Sequence, residues 1–231
     1  MNNININGCN LAYLTIGSGE KKILFLHGNG EDHKIFAKML NKFEPTKYTA
    51  YLVDSRCHGD SDCKGEMSII QFADDMLEFI DKLNLGIVNV VGFSDGANVA
   101  MAMASKKQEV IERMVLISGN FNADAIHYQE KLRIKLVYII TSLGLLNAKI
   151  RRLHKLQKLM IVDFGINEDE LGKIKVPTLV IGAENDVINK NHTELIAKSL
   201  VDGIVIFTPK TTHYNIVENE HTALEVKKFI M

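Results

Sequence analysis

The chain has 231 residues, carries 27 Lys+Arg against 28 Asp+Glu for a net charge of −1, and is 46% hydrophobic and 24% charged. That mixture excludes a disordered chain and argues against a protein built to neutralise nucleic-acid phosphates, which needs a basic excess or stripe. The length allows one domain or two, and three prolines leave little room for a long linker.

Short apolar runs alternate with longer segments of helical spacing, which points to an α/β fold with a mostly parallel sheet. Residues 2–6 and 11–16 flank Asn7-Gly8, a turn pair that predicts an opening antiparallel hairpin. Residues 23–26, 49–53, 88–92, 114–117, 178–182 and 204–208 read as compact buried strands, about eight in all with the hairpin. Between them, 34–43, 69–83, 97–106, 192–200 and 223–230 read as helices. In the second of these, Phe72, Met76, Phe79, Ile80 and Leu83 recur at three- and four-residue steps, which puts them on one face.

The rhythm breaks between Asn120 and Lys175, where 131–146 and 149–162 are helical and no strand intervenes. The first carries Leu132, Leu136, Ile139, Ile140 and Leu143; the second mixes Arg151, Arg152, Lys155 and Lys158 with Leu153, Leu156, Leu159 and Met160. Two readings stand open. Either these are amphipathic helices packed on the sheet with a basic face in solvent, or they form an inserted cap over a site.

The chemistry begins at Gly92-Phe93-Ser94-Asp95-Gly96, which follows the 88–92 strand and opens a helix. A G-x-S-x-G run in that setting places the serine on a sharp strand-to-helix turn. Flanking glycines permit the close backbone approach, and the helix N-terminus offers N–H groups to a developing oxyanion. A serine hydroxyl is a weak nucleophile until a base, itself held in one tautomer, takes its proton. The strand at 178–182 runs into Ala183-Glu184-Asn185-Asp186, and that at 204–208 runs into Pro209-Lys210-Thr211-Thr212-His213. Asp186 is the favoured acid and His213 the base, with Glu184 and Asp124 as rival acids. His27-Gly28-Asn29-Gly30 after an early strand supplies the second oxyanion donor, the Asn29 N–H, beside that of Asp95. His27 fits a role bracing that loop better than metal ligation, since its spacing from His33 matches no zinc motif.

These segments, together with Asp54-Ser55-Arg56-Cys57-His58-Gly59-Asp60-Ser61, resemble in order the signature segments of the α/β-hydrolase superfamily. The resemblance spans nearly the whole chain. It implies an eight-stranded sheet, a helical cap after the sixth strand, and a cofactor-free hydrolase. Ser94, Asp186 and His213 fall on the family's triad positions, and Asn29 and Asp95 on its oxyanion positions. Cys57 stands where the family usually reads glycine in Arg-Gly-His-Gly. Either the turn there is shaped differently, or Cys57 tolerates the same geometry. Ser94 argues against the dehalogenase branch, which resembles this chain but carries an aspartate as nucleophile.

The resulting expectation is a metal-free serine hydrolase of small to medium carboxylic esters, acting through an acyl-enzyme. The alternatives are the same triad acting on a C–C bond, thioester, lactone or amide, or a non-catalytic binding protein on this fold. Asp95 either favours an amine-bearing substrate or complements the helix N-terminus. Cys9, Cys57 and Cys63 cannot all pair within the chain, and no disulfide framework is expected. A zinc site at Cys57, His58 and Cys63 lacks a second ligand pair. The N-terminus has neither the basic nor the apolar region of a secretory signal. The longest uncharged stretch, 136–148, is too short to span a bilayer. A cytoplasmic enzyme is expected, with a small-molecule ester as partner and neither nucleic acid nor membrane. Because the triad positions straddle 120–175, residues 1–231 are expected to form one domain with that segment as an insertion.

Overall fold

The computed structural model describes residues 1–163 and 165–231; Phe164, inside the expected insertion, lies outside the described residues. Strands β1 (Asn2–Ile6) and β2 (Cys9–Gly17) form the opening hairpin. Its turn residues Asn7 and Gly8 both have positive φ, 47° and 76°, which is what makes Asn-Gly the favoured pair there. The chain continues through β3 (Lys21–Leu26), α1 (Ala37–Leu40), β4 (Tyr48–Val53), α2 (Ile69–Lys82), β5 (Val88–Phe93), α3 (Asp95–Lys107) and β6 (Ile111–Ile117). Helices α4 (Tyr128–Ser142), α5 (Ala148–Leu159) and α6 (Glu168–Leu171) follow, then β7 (Thr178–Asn185), α7 (Lys190–Ser199), β8 (Gly203–Thr212) and α8 (Glu220–Ile230).

The eight strands form one sheet in the order β1-β2-β4-β3-β5-β6-β7-β8. β2 runs antiparallel to its neighbours, and every pair from β4 to β8 is parallel. Parallel strands are covered on both faces, so they read as continuous apolar runs, and all six residues of β5 are buried. Val90 faces the core shared with α2 and α3, while Val91 faces the one shared with α1 and α8. In α2, Ser68 caps the N-terminus by accepting from the Gln71 N–H, and Phe72, Met76, Phe79 and Ile80 are buried as the spacing predicts. The placement of β4 and β5 on opposite sides of β3 makes a switch point, where a crevice opens at the strands' carboxyl ends.

Three expectations need correction. The helix expected over 34–43 is a 3-10 turn, His33–Phe36, followed by the single turn of α1. The apolar row of α4 does not pack on the sheet: Leu132, Leu136, Ile139, Ile140 and Leu143 face outward, and Ile134 and Thr141 are the buried residues. The helix also stops at Ser142 instead of running to 146, just ahead of Gly144. Finally, Cys57 and Cys63 are joined as a disulfide with Cα atoms 4.0 Å apart, leaving Cys9 free and buried. Pairing within one short turn leaves an odd cysteine over, so an odd count did not argue against it. The cysteines therefore give no support to a reducing compartment.

Candidate active site

Ser94 sits at φ 52°, ψ −120° between β5 and α3, a conformation L-residues rarely adopt. Its neighbours explain how that turn is possible. A Cβ on Gly92 would lie 2.3 Å from the Gly96 carbonyl oxygen, and one on Gly96 would lie 2.0 Å from that of Leu26. The Ser94 N–H donates to the Ile117 carbonyl at 2.8 Å, anchoring the turn to β6.

His213, just past β8, places Nε2 3.1 Å from Ser94 Oγ, and its Nδ1 lies 2.7 Å from Asp186 Oδ1. Asp186 follows β7, and its carboxylate also accepts from the Ser118 hydroxyl and from the Ala183 and Ile188 N–H groups. Burial alone would raise the Asp186 pKa; the hydrogen bond and charge of His213, with the Ser118 and Ala183 donors, hold it below the ordinary value. The side chains of His213 and Asp186 are almost wholly buried. The two rival acids lie elsewhere. Glu184 accepts from the Lys210 N–H on the surface, and Asp124 is an exposed partner of Lys131.

Asn29 follows β3 and Asp95 opens α3, next to Ser94; among the described residues, neither backbone N–H is engaged in a hydrogen bond. The Asn29 side chain is more occupied than the sequence suggested. Its Nδ2 donates to Asp95 Oδ2 and to the Leu156 carbonyl of α5, both at 2.9 Å. Asp95 Oδ1 in turn accepts from Asn98 Nδ2 at 3.3 Å. Burial raises the Asp95 pKa to about 6 against the pull of these amide bonds. Both carboxylate oxygens are thus committed to the turn itself.

Behind this wall His27 behaves as a brace. Its Nδ1 lies 2.8 Å from the Gly28 carbonyl, and its Nε2 accepts from the Ser55 N–H at 3.0 Å. Those roles suit a neutral imidazole, and burial lowers its pKa. Asp54 accepts from the His33 backbone and ring and from the Asp60 N–H, drawing the loop after β4 toward the oxyanion turn. Cys57 resolves the open question there, because it takes φ 61° itself and so holds the left-handed conformation that glycine would supply.

Sequence reasoning missed Glu31. It lines the cavity beside Ser94, accepts from the Gly28 N–H at 3.3 Å, and has its pKa raised by burial to about 7. Its only signal was its place right after the His-Gly-Asn-Gly turn. Gln157 was missed as well: it is buried, lines the same cavity, and its Oε1 has no partner among the described residues. The cavity holds about 220 Å³. One side is formed by the Asn29 and Ser94 turns with His213, and the other by α4, α5 and the loops about them, including Ile134, Leu153, Leu156 and Met160. That arrangement presents a nucleophile, a base, an oriented acid and two free donors around one small half-apolar space.

Known proteins share this frame. A mouse serine hydrolase, BPHL, is 30% identical over 121 residues, which is 50% of this chain and 41% of that protein. The curated relatives it matches are longer, and the matched segments cover between 33% and 41% of their length. Among solved structures, a thermophilic esterase from Thermogutta terrifontis superposes with a TM-score of 0.75 at 17% identity, covering 98% of this chain and 96% of the other. An enol-lactonase from Burkholderia xenovorans LB400 superposes with a TM-score of 0.78 at 21% identity, covering 99% of both chains. Residues 21–139, from β3 through the nucleophile turn into α4, match the alpha/beta hydrolase fold family, and the chain belongs to that family.

Proposed function

We propose that the protein is a serine hydrolase that cleaves carboxylic esters of small to medium size through an acyl-enzyme. The observation that carries this reading is the hydrogen-bonded series from Ser94 Oγ through His213 to Asp186, at 3.1 and 2.7 Å. Ser94 Oγ attacks the ester carbonyl while its proton passes to His213 Nε2. Asp186 holds the His213 Nδ1–H and stabilises the imidazolium. The Asn29 and Asp95 N–H groups receive the oxyanion of the tetrahedral intermediate. Its collapse expels the alcohol, which takes the proton from His213. Water, deprotonated by His213, then attacks the acyl-enzyme and releases the acid and free Ser94. The size of the substrate follows from the cavity, at about 220 Å³.

A lactone is an internal ester and would pass through the same oxyanion, so the kinship in fold with both an esterase and a lactonase fits one chemistry. The experiment is a panel of p-nitrophenyl esters graded by acyl length, run on wild type and Ser94→Ala, with fluorophosphonate labelling alongside. Expected are turnover of the short esters, labelling at Ser94, and loss of both in a variant that keeps its far-UV spectrum. Unchanged turnover in Ser94→Ala would overturn the assignment, and a wild type that does not react with the fluorophosphonate would point to an inactive site.

A further inference from the structure

Exposed apolar side chains on a folded protein are usually scattered singly. α4 departs from this. Leu132, Leu136, Ile139, Ile140 and Leu143 are 56%, 56%, 61%, 57% and 88% exposed. Steps of three and four residues align them down one side of the helix, and Leu146 in the connection to α5 is fully exposed. The other side of α4 buries Ile134 and Thr141. A helix apolar on both sides is one built to be covered on both sides, and a contiguous exposed apolar patch marks an interaction site.

The charge around the stripe identifies what covers it. Residues 128–160 hold eight Lys or Arg and one Asp or Glu, a net of +7 in a chain whose total is −1, which leaves −8 on the remainder. Lys131 and Arg133 pair with Asp124 and Glu130. Lys135, Lys149, Arg151, Arg152, Lys155 and Lys158 have no acidic partner among the described residues. A second copy docked through this face would bring two such positive surfaces together. A protein partner would want a cleft, and none of the six exposed stripe residues lines a cavity among the described residues.

We infer that the outer face of α4, with the basic side chains of α5 beside it, docks on an anionic lipid surface. Leucine and isoleucine side chains enter the boundary between headgroups and acyl chains, and lysine and arginine side chains meet the headgroup phosphates. Leu153 and Arg133, at the edge of this face, also line the cavity beside Ser94. Docking therefore sets the cavity against the lipid surface. No helix among the described residues is long and apolar enough to cross a membrane. The expectation of no membrane partner rested on the lack of a spanning segment, which has no bearing on docking at the surface.

The test is co-sedimentation of the full chain with vesicles of phosphatidylcholine alone and of equal parts phosphatidylcholine and phosphatidylglycerol. Binding is expected to the mixed vesicles only, with release in high salt as the headgroup charge is screened. Leu136→Ser with Ile140→Ser and Leu143→Ser, and separately Lys149→Gln with Arg151→Gln and Arg152→Gln, should each lower the bound fraction about tenfold or more. Turnover of a soluble ester, unchanged in both variants, reports that they fold. A wild type that binds neither vesicle overturns the proposal, and so does equal binding to both vesicles that ignores the charge variant. A concentration-dependent dimer, abolished by the leucine variant and without vesicle binding, would assign the face to a second copy instead.

Discussion

Asp95 shows how one residue serves the site and strains the fold at once. Its N–H points to the oxyanion position, while its carboxylate is held between Asn29 and Asn98 where burial raises its pKa to about 6. An unfolded chain leaves this group near its usual value of 3.8. Between those two pH values the folded state holds the proton more tightly, so folding gains from Asp95 below about pH 4, and that gain is lost as pH rises through about 6. Asp95→Asn removes the titration and keeps an acceptor for Asn29. The variant should therefore unfold at the same temperature as wild type, or a lower one, near pH 4, and overtake it above pH 6. The swing should be about 2 kcal/mol, after allowing for the screening at a partly exposed group. Parallel unfolding curves from pH 4 to 8 would show that Asp95 does not carry the raised pKa. Glu31, raised to about 7, adds a slope of the same sign at slightly higher pH in both proteins, so it cancels in the comparison.

At the scale of elements, the loops that carry the site are fixed by polar contacts that periodicity does not reveal. Arg56, after β4, pairs through Nε and Nη2 with Asp75 of α2 and also donates to the Ile6, Asn7 and Lys64 carbonyls, with both charged side chains almost fully buried. Asp75→Ala leaves that guanidinium buried without its counter-charge and should cost about 3–5 kcal/mol in urea unfolding. Arg56→Met combined with Asp75→Leu should recover most of the loss, because no buried charge remains; a double variant as weak as the single would refute this account. The strands and the nucleophile turn were legible, since runs buried on both faces and a Gly-x-Ser-x-Gly turn have local causes. Asp186 was favoured over Glu184 only by position, and what separates them is tertiary: Ser118, Ala183 and Ile188 converge on Asp186 alone. α4 was legible as a helix but not in its orientation, because spacing shows that Leu132 to Leu143 share a face without showing what that face meets. The disulfide was hidden for a related reason, since Cys57 and Cys63 meet through a turn shaped by Asp54 and Cys57's own positive φ.

For the molecule as a whole, the question is what holds the inserted helices over the sheet. Helices α4 and α5 pack on each other, and apolar contacts such as Ile126, Ile134 and Ile188 join the insertion to the loops at the strand ends. Only one of these ties reaches from the oxyanion turn itself into α5, the bond from Asn29 Nδ2 to the Leu156 carbonyl. The same amide holds Asp95, so the nucleophile turn, the oxyanion turn and the cap share a single side chain. Asn29→Ala keeps the backbone N–H and deletes this tie. Loss of one such hydrogen bond is worth about 1 kcal/mol, which should raise amide exchange in α5 several-fold while β3, β5 and β6 keep their protection. Activity on short esters should fall mainly through KM, because the donors at the oxyanion remain while the opposite wall of the cavity loosens. Unchanged exchange in α5 would mean that apolar packing alone holds the cap. A fall confined to kcat would mean that the Asn29 side chain acts on the oxyanion turn and not through the cap.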